Sequence, residues 1–226
     1  MTSFYEQVLG AEFHKLHPKI QQRFGFGSKD GVAAVGTGTM ARIWHGQFYT
    51  MPFLYVGTWR RIMFPERGLN VPFMIENYAY QDGFGRETVT WIRTFETSRK
   101  RRFDATMIYS VKRNRIVDYL GTHQHLAVDI HISVDEQTKG LRLQSGEQRF
   151  YEGIVGFRFP MFFSGVADVC EWYDDEIQRY RINVNVTNPL WGPLFGYEGV
   201  FDVEWKTISP DDIPADVKPV REERRE

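Results

Sequence analysis

Between Leu126 and Val134 every second residue is apolar: Leu126, Val128, Ile130, Ile132 and Val134. The positions between and before them are His123, His125, Ala127, Asp129, His131, Ser133 and Asp135. A period of two belongs to a β-strand with one greasy and one polar face, because successive side chains point to opposite sides of the sheet. The even face must pack on a core. The odd face, rich in histidine, looks either into bulk water or into a wet cavity.

The same grammar recurs along most of the chain. Val32–Ile43 alternates loosely around Gly36 and Gly38, small residues that let another backbone or a ligand come close. Val71–Gln81 and Arg86–Glu96 flank the turn signal Asp82-Gly83. On the second of these, Val89, Trp91, Arg93 and Phe95 share one face, and Thr88, Thr90, Ile92 and Thr94 the other. Phe103–Tyr109, Arg115–Leu120, Leu141–Gln144, Val166–Tyr173, Arg179–Thr187 and Phe195–Lys206 complete the set, with Lys112-Arg113-Asn114 and Thr138-Lys139-Gly140 as turns. The aromatic stretch Arg149–Ser164, with Phe150, Tyr151, Phe157, Phe159, Phe162 and Phe163, reads as a short strand followed by a loop or helical turn.

Tight turns make sequential neighbours antiparallel, and no strand–helix alternation supports a parallel sheet. A meander of nine or ten strands must protect its edges, and closure does so most completely. The expected fold is therefore mainly β, an antiparallel barrel or strongly curled sheet with N-terminal helices. The helices are read from Ser3 and Glu6 at capping-box spacing, the apolar stripe Phe4, Val8, Phe13, Leu16, Ile20 and Phe24, and Pro18, which can open a second helix. They would lie outside the sheet or plug one end of it. Residues 1–208 are expected to form a single β-rich domain, and 209–226 a charged, proline-containing tail, extended or disordered.

Trp44–Phe64 is apolar and interrupted by Pro52 and Gly57. It reads as a short helix and loop covering the core, or as a mobile lid or a patch for a membrane or protein partner, with Arg60 and Arg61 beside Trp59.

Several function classes are disfavoured. A net charge of −1 supplies no field for nucleic acid, and Arg99–Arg102 has no companion basic run. No run approaches the roughly 18 apolar residues of a membrane span, and the first residues lack signal-peptide grammar. The single cysteine, Cys170, fits a reducing compartment, so the expected location is the cytoplasm. Gly25-Phe26-Gly27 and Gly36-Thr37-Gly38 lack the third glycine of a dinucleotide fingerprint, and no cofactor is assigned. His123 and His125 could form half of a metal site, but a strand rises about 3.3 Å per residue, which puts His131 far beyond them. No metal is assigned either.

Phe4-Tyr5…Leu9-Gly10, Trp91-x-Arg93-x-Phe95, Phe159-Pro160, Glu171 within Ala167–Tyr173, and Gly192…Gly196-Tyr197-x-Gly199 resemble an uncharacterised bacterial domain family across most of residues 4–203. The resemblance implies a domain found alone or fused to dehydrogenase-like or reductase-like domains, with no catalytic residues to carry over. Those fusions hint at the metabolism of small or lipidic molecules.

Aromatic residues make up 15% of the chain. Core packing accounts for most of that excess, yet a curled sheet of this size can enclose more space than its side chains fill. Trp91, Phe95, Trp172, Tyr180, Tyr197 and Phe201 are candidate lining residues, with Arg93 and Glu171 as polar anchors. Asp174–Glu176 reads as turn chemistry, and Ser164-Gly165 lacks the nucleophile-elbow pattern. The leading expectation is non-enzymatic binding of a small, largely apolar ligand inside the sheet. The alternatives are an enzyme using the same cavity, with Glu171 as acid or base and Arg93 as anion partner, or an interaction module acting through Trp44–Phe64.

Overall fold

Side-chain caps and turn residues set the ends of the elements. Ser3 Oγ accepts from the Glu6 amide at 3.2 Å and starts α1 (Phe4–Leu9), and Pro18 opens α2 (Pro18–Phe24) after a 3₁₀ turn. Asp82 Oδ1 accepts from the amides of Phe84 and Arg86, both at 2.9 Å, and turns the chain there. Asp135 Oδ1 does the same for Thr138 at 2.9 Å. The computed structural model describes residues 3–160, 164–190 and 192–226.

The strands are β1 (Val32–His45), β2 (Gly68–Gln81), β3 (Glu87–Glu96), β4 (Lys100–Ser110), β5 (Arg115–Leu120), β6 (Leu126–Val134), β7 (Leu141–Glu152), β8 (Val155–Arg158), β9 (Val166–Asp174), β10 (Arg179–Asn188) and β11 (Gly192–Thr207). All pairings are antiparallel. β6 pairs with β7, the first half of β7 with β9, and β11 with β1, so ten strands close into a barrel. β8 is the eleventh strand, hydrogen-bonded to the second half of β7. The barrel expected from the meander is thus present and closed. Of the loop or helical turn expected to end the Arg149–Ser164 stretch, residues 161–163 lie outside the described residues.

The two ends of the barrel differ. The connections β2–β3, β4–β5, β6–β7 and β9–β10 emerge at one end, together with the N-terminal segment, which plugs it. Ile20, Arg23 and Phe24 are buried there, and the Tyr5 hydroxyl reaches inward, accepting from Trp91 Nε1 at 3.1 Å and lying 3.4 Å from Met107 Sδ. At the other end, the long β1–β2 connection folds into α3 (Met51–Trp59), which lies across the opening with Leu54 turned inward.

Inward parity follows the sequence reading on β3: Val89, Trp91 and Phe95 join the main core, and Arg93 is buried on the same face. On β6 the even face also points inward, and the odd face is the barrel's outer wall. There Asp129 is buried among Arg113, Arg115 and Arg149, and Ala127 packs with Tyr119 and Tyr151. The tail lies along this wall, with Val217 buried against Tyr78, Tyr80 and Ile92, and the Glu223 amide donating to Gln124 Oε1 at 2.6 Å.

Glycines on β1 and β11 serve a close backbone contact: a Cβ on Gly38 would stand 2.1 Å from the Val200 carbonyl oxygen. Met40 is paired with Gly199 across β1 and β11, and a Cβ on Gly199 would stand 2.2 Å from the Thr39 carbonyl oxygen. Gly199→Ala is therefore expected to lower stability by about 1–3 kcal/mol, since backbone must move to admit the methyl. Urea unfolding checks this, and a change within 0.5 kcal/mol, as for roughly neutral surface substitutions, would show that the seam tolerates a side chain.

Candidate functional site

The barrel interior is packed along β1, β2 and β11, and a hollow remains on the opposite side. The hollow is an inner chamber of about 110 Å³ walled by β3–β7, β9 and β10. Its apolar wall includes Phe103, Leu120, Val128, Ile130, Ala167 and Val184, with Trp91 and Met107 towards the plug. Beyond it a vestibule of about 320 Å³ lies under α3, lined by Tyr49, Phe53, Val56, Phe159 and Leu194. Ile62, Met63, Leu126, Ser164 and Gly165 line both spaces, so they form one path from the surface into the barrel. The outer side of α3 and its approach remains apolar and exposed, notably at Phe48 and Trp59, with Arg60 stacked 4.4 Å from the Trp59 ring.

Five polar side chains line the inner chamber: Arg93, Asp118, Ser145, Gln148 and Ser164. Three of them are committed to the protein. Ser145 Oγ accepts from the Ala167 amide at 2.7 Å, Gln148 Nε2 donates to the Gly165 carbonyl at 2.7 Å, and the Ser164 hydroxyl donates to Gln148 Oε1.

Arg93 and Asp118 are different. Arg93 is 4% exposed, and no carboxylate lies within ion-pair distance among the described residues. Its Nε donates to the Phe103 carbonyl at 3.3 Å and Nη1 to the Tyr197 hydroxyl at 3.4 Å, both long, while its guanidinium sits 3.8 Å from the centre of the Phe103 ring. Asp118 is buried, and its Oδ1 has no hydrogen-bond partner among the described residues. Burial pushes its carboxyl up to about 7, with the charge of Arg93 pulling the other way.

Of the residues expected to line a cavity, Trp91 and Arg93 do so. Phe95, Tyr180, Tyr197 and Phe201 lie in the packed interior. Phe95 sits against Phe64, Phe73 and Tyr197, and Tyr180 stacks on Phe201 and donates to the Lys19 carbonyl at 3.3 Å. Trp172 alternates with the inward residues of β9 and so faces outward, paired in register with Arg181. Glu171 is fully buried but meets Arg23 of α2, Nε to Oε1 at 2.7 Å, rather than Arg93. Burial pushes its carboxyl up, and the neighbouring Arg23 charge offsets part of that. Cys170 is on the outer face, its thiol pushed up to about 11 by burial, so it is held as the thiol. His123 and His125 precede β6, with rings 5.6 Å apart and edge to face. His125 Nδ1 lies 3.0 Å from Glu152 Oε2. Among the described residues no three metal-ligating groups converge.

Asp118 escaped the sequence reading, although its signal was present. On the strand Arg115–Leu120 it shares parity with Ile116 and Leu120, a single acid on an otherwise apolar face. Arg23 was missed because its partner stands 148 residues away.

Residues 16–201 match the model of a domain of unknown function, DUF4166. The chain belongs to that family. A similar protein is the uncharacterized protein YndH of Bacillus subtilis (strain 168), 36% identical over 207 residues that cover 90% of this chain and 98% of the relative. No solved structure matches the chain. The matched segment of the DUF4166 domain runs from the plug through most of β11, and so takes in α3 and both the Arg93 and Asp118 strands. Among the described residues no helix is long and apolar enough to cross a membrane.

Proposed function

We propose that the protein binds a small, largely apolar molecule, lipid-like or a metabolite, inside the barrel, in the cytoplasm, with α3 covering the way in. The observation that carries this reading is the continuous apolar path from the vestibule to a chamber whose wall holds two polar groups without mutual contact. Pockets that hold such ligands are apolar with a few placed polar groups, as this one is. A fusion to a dehydrogenase-like or reductase-like domain, implied by the sequence resemblance, would place such a binder beside enzymes of small-molecule metabolism.

Native mass spectrometry of freshly purified protein tests the reading. A retained small molecule is expected in the wild type, and Ala167→Trp, which puts an indole into the chamber wall, is expected to lose it while keeping the β-sheet circular dichroism. Apoprotein alone, with no thermal shift across a panel of lipids and metabolites, would sink the proposal. That outcome would leave an interaction module as the stronger reading, supported by the exposed aromatic side of α3.

A further inference from the structure

Asp118 and Arg93 stand on strands separated by β4, and both line the inner chamber. Their charges influence each other, yet no hydrogen bond or ion pair joins them among the described residues. Asp118 is level with Met107 and Val128, deeper than Leu120, and close enough to the plug for its charge to act on the Tyr5 hydroxyl. Asp118 is therefore at the inner end of the path, and the wall from there to α3 is apolar apart from side chains already bonded within the protein, such as Gln148 and Ser164.

A buried carboxyl lacking a donor and a buried guanidinium lacking an anion are both costly. What completes them is a group that accepts from Arg93 and donates to Asp118. An alkane completes neither. An ester or ketone accepts from Arg93 and leaves Asp118 unpaired. An ammonium group would suit Asp118 but meet the Arg93 charge. A single O–H does both.

We propose that the chamber receives a single-chain amphiphile head first, with a protic oxygen, the hydroxyl of a fatty alcohol or the carboxyl of a fatty acid, set between Arg93 and Asp118 and the hydrocarbon directed towards α3. This rests on the apolar-ligand reading above. For an acid, one proton is shared between the ligand carboxyl and Asp118, because two carboxylates side by side repel. An alcohol needs no such proton.

The test is displacement of the neutral probe N-phenyl-1-naphthylamine from the full chain by dodecanol, dodecanoic acid, methyl dodecanoate and dodecane. At neutral pH the alcohol and the acid are expected to compete roughly tenfold or more tightly than the ester and the alkane, the worth of about one hydrogen bond to a charged group. Raising the pH to 8.5 is expected to weaken the acid and leave the alcohol unchanged. Asp118→Leu should bring the alcohol to within about twofold of the ester, the residue of a lost hydrogen bond. Asp118→Asn, close in shape, should reverse the pH effect by leaving Arg93 unopposed, so that the acid overtakes the alcohol at pH 8.5. Equal competition by all four compounds, or a preference that survives Asp118→Leu, overturns the head-group assignment while leaving the apolar cavity intact. Failure of the probe and of every competitor to bind overturns the cavity reading and this assignment with it.

Discussion

Glu171→Gln and Arg23→Met, made singly, are each expected to lower the stability of the protein by about 3–5 kcal/mol, because each leaves one charge buried without its partner. Both side chains have no exposure, and one contact at 2.7 Å joins them. Arg23 Nη1 and Nη2 and Glu171 Oε2 have no other hydrogen-bond partner among the described residues. The pair is therefore poorly satisfied for its depth, although the Arg23 guanidinium also lies 5.5 Å from the Phe201 ring. The double variant Arg23→Met/Glu171→Leu removes both charges and is expected to recover most of the loss or to exceed the wild type. Urea unfolding of the four proteins compares the single losses with that of the double variant. Single costs below about 1 kcal/mol, or a double variant as unstable as the singles combined, would mean that the pair is solvated or otherwise completed. Because these residues tie the plug to β9, the same variants should also loosen α2, seen as faster amide exchange there than in β3.

Asp118→Asn is expected to stabilise the protein in a pH-dependent way. The native state holds the Asp118 proton to about pH 7, whereas the unfolded chain releases it near pH 4. Between those limits the native form binds more protons, so rising pH favours unfolding, and the penalty is complete above about pH 7. The advantage of the variant should therefore be small near pH 4, grow through the window, and level off above neutrality. Three pKa units at 1.36 kcal/mol each set an upper bound of about 4 kcal/mol. Asp129, Glu147 and Glu223 have carboxyls held low by neighbouring arginines, and their contribution runs the other way, lost as pH falls towards 4. Taking the difference between variant and wild type removes that background. A difference that stays flat from pH 4.5 to pH 8.5 would show that Asp118 is ionised and solvated in the native state. The carboxylate that destabilises the empty protein is the group assigned to the ligand head, as expected of a site that gives up stability for binding.

Much of the barrel was legible in the residues. The period of two on β3 and β6 fixed which side chains face inward, and Asp82-Gly83 and Thr138–Gly140 fixed the antiparallel order through local turn chemistry. Ser3, Glu6 and Pro18 marked the plug helices for equally local reasons. The histidine-rich face of β6 could not be assigned to water or cavity from one strand, since both environments accept polar residues. Closure made it the outer wall, where Asp129 gathers arginines from β5, β7 and the β4–β5 turn.

The site was harder to read than the fold. Alternation says that Trp91, Arg93, Phe95 and Glu171 point inward, but an inward residue can meet packed core, plug or empty space. The N-terminal segment plugs the end of the barrel that holds Glu171 and supplies Arg23 to it, leaving Arg93 on the chamber wall with Asp118. The sequence by itself determined the antiparallel meander, the two faces of its strands and the inward direction of Arg93 and Glu171, because these depend on periodicity and short-range turns. Which inward charges meet, and where space remains, was decided by the tertiary structure, because both depend on how far the plug enters a closed barrel and on contacts between residues far apart in the chain.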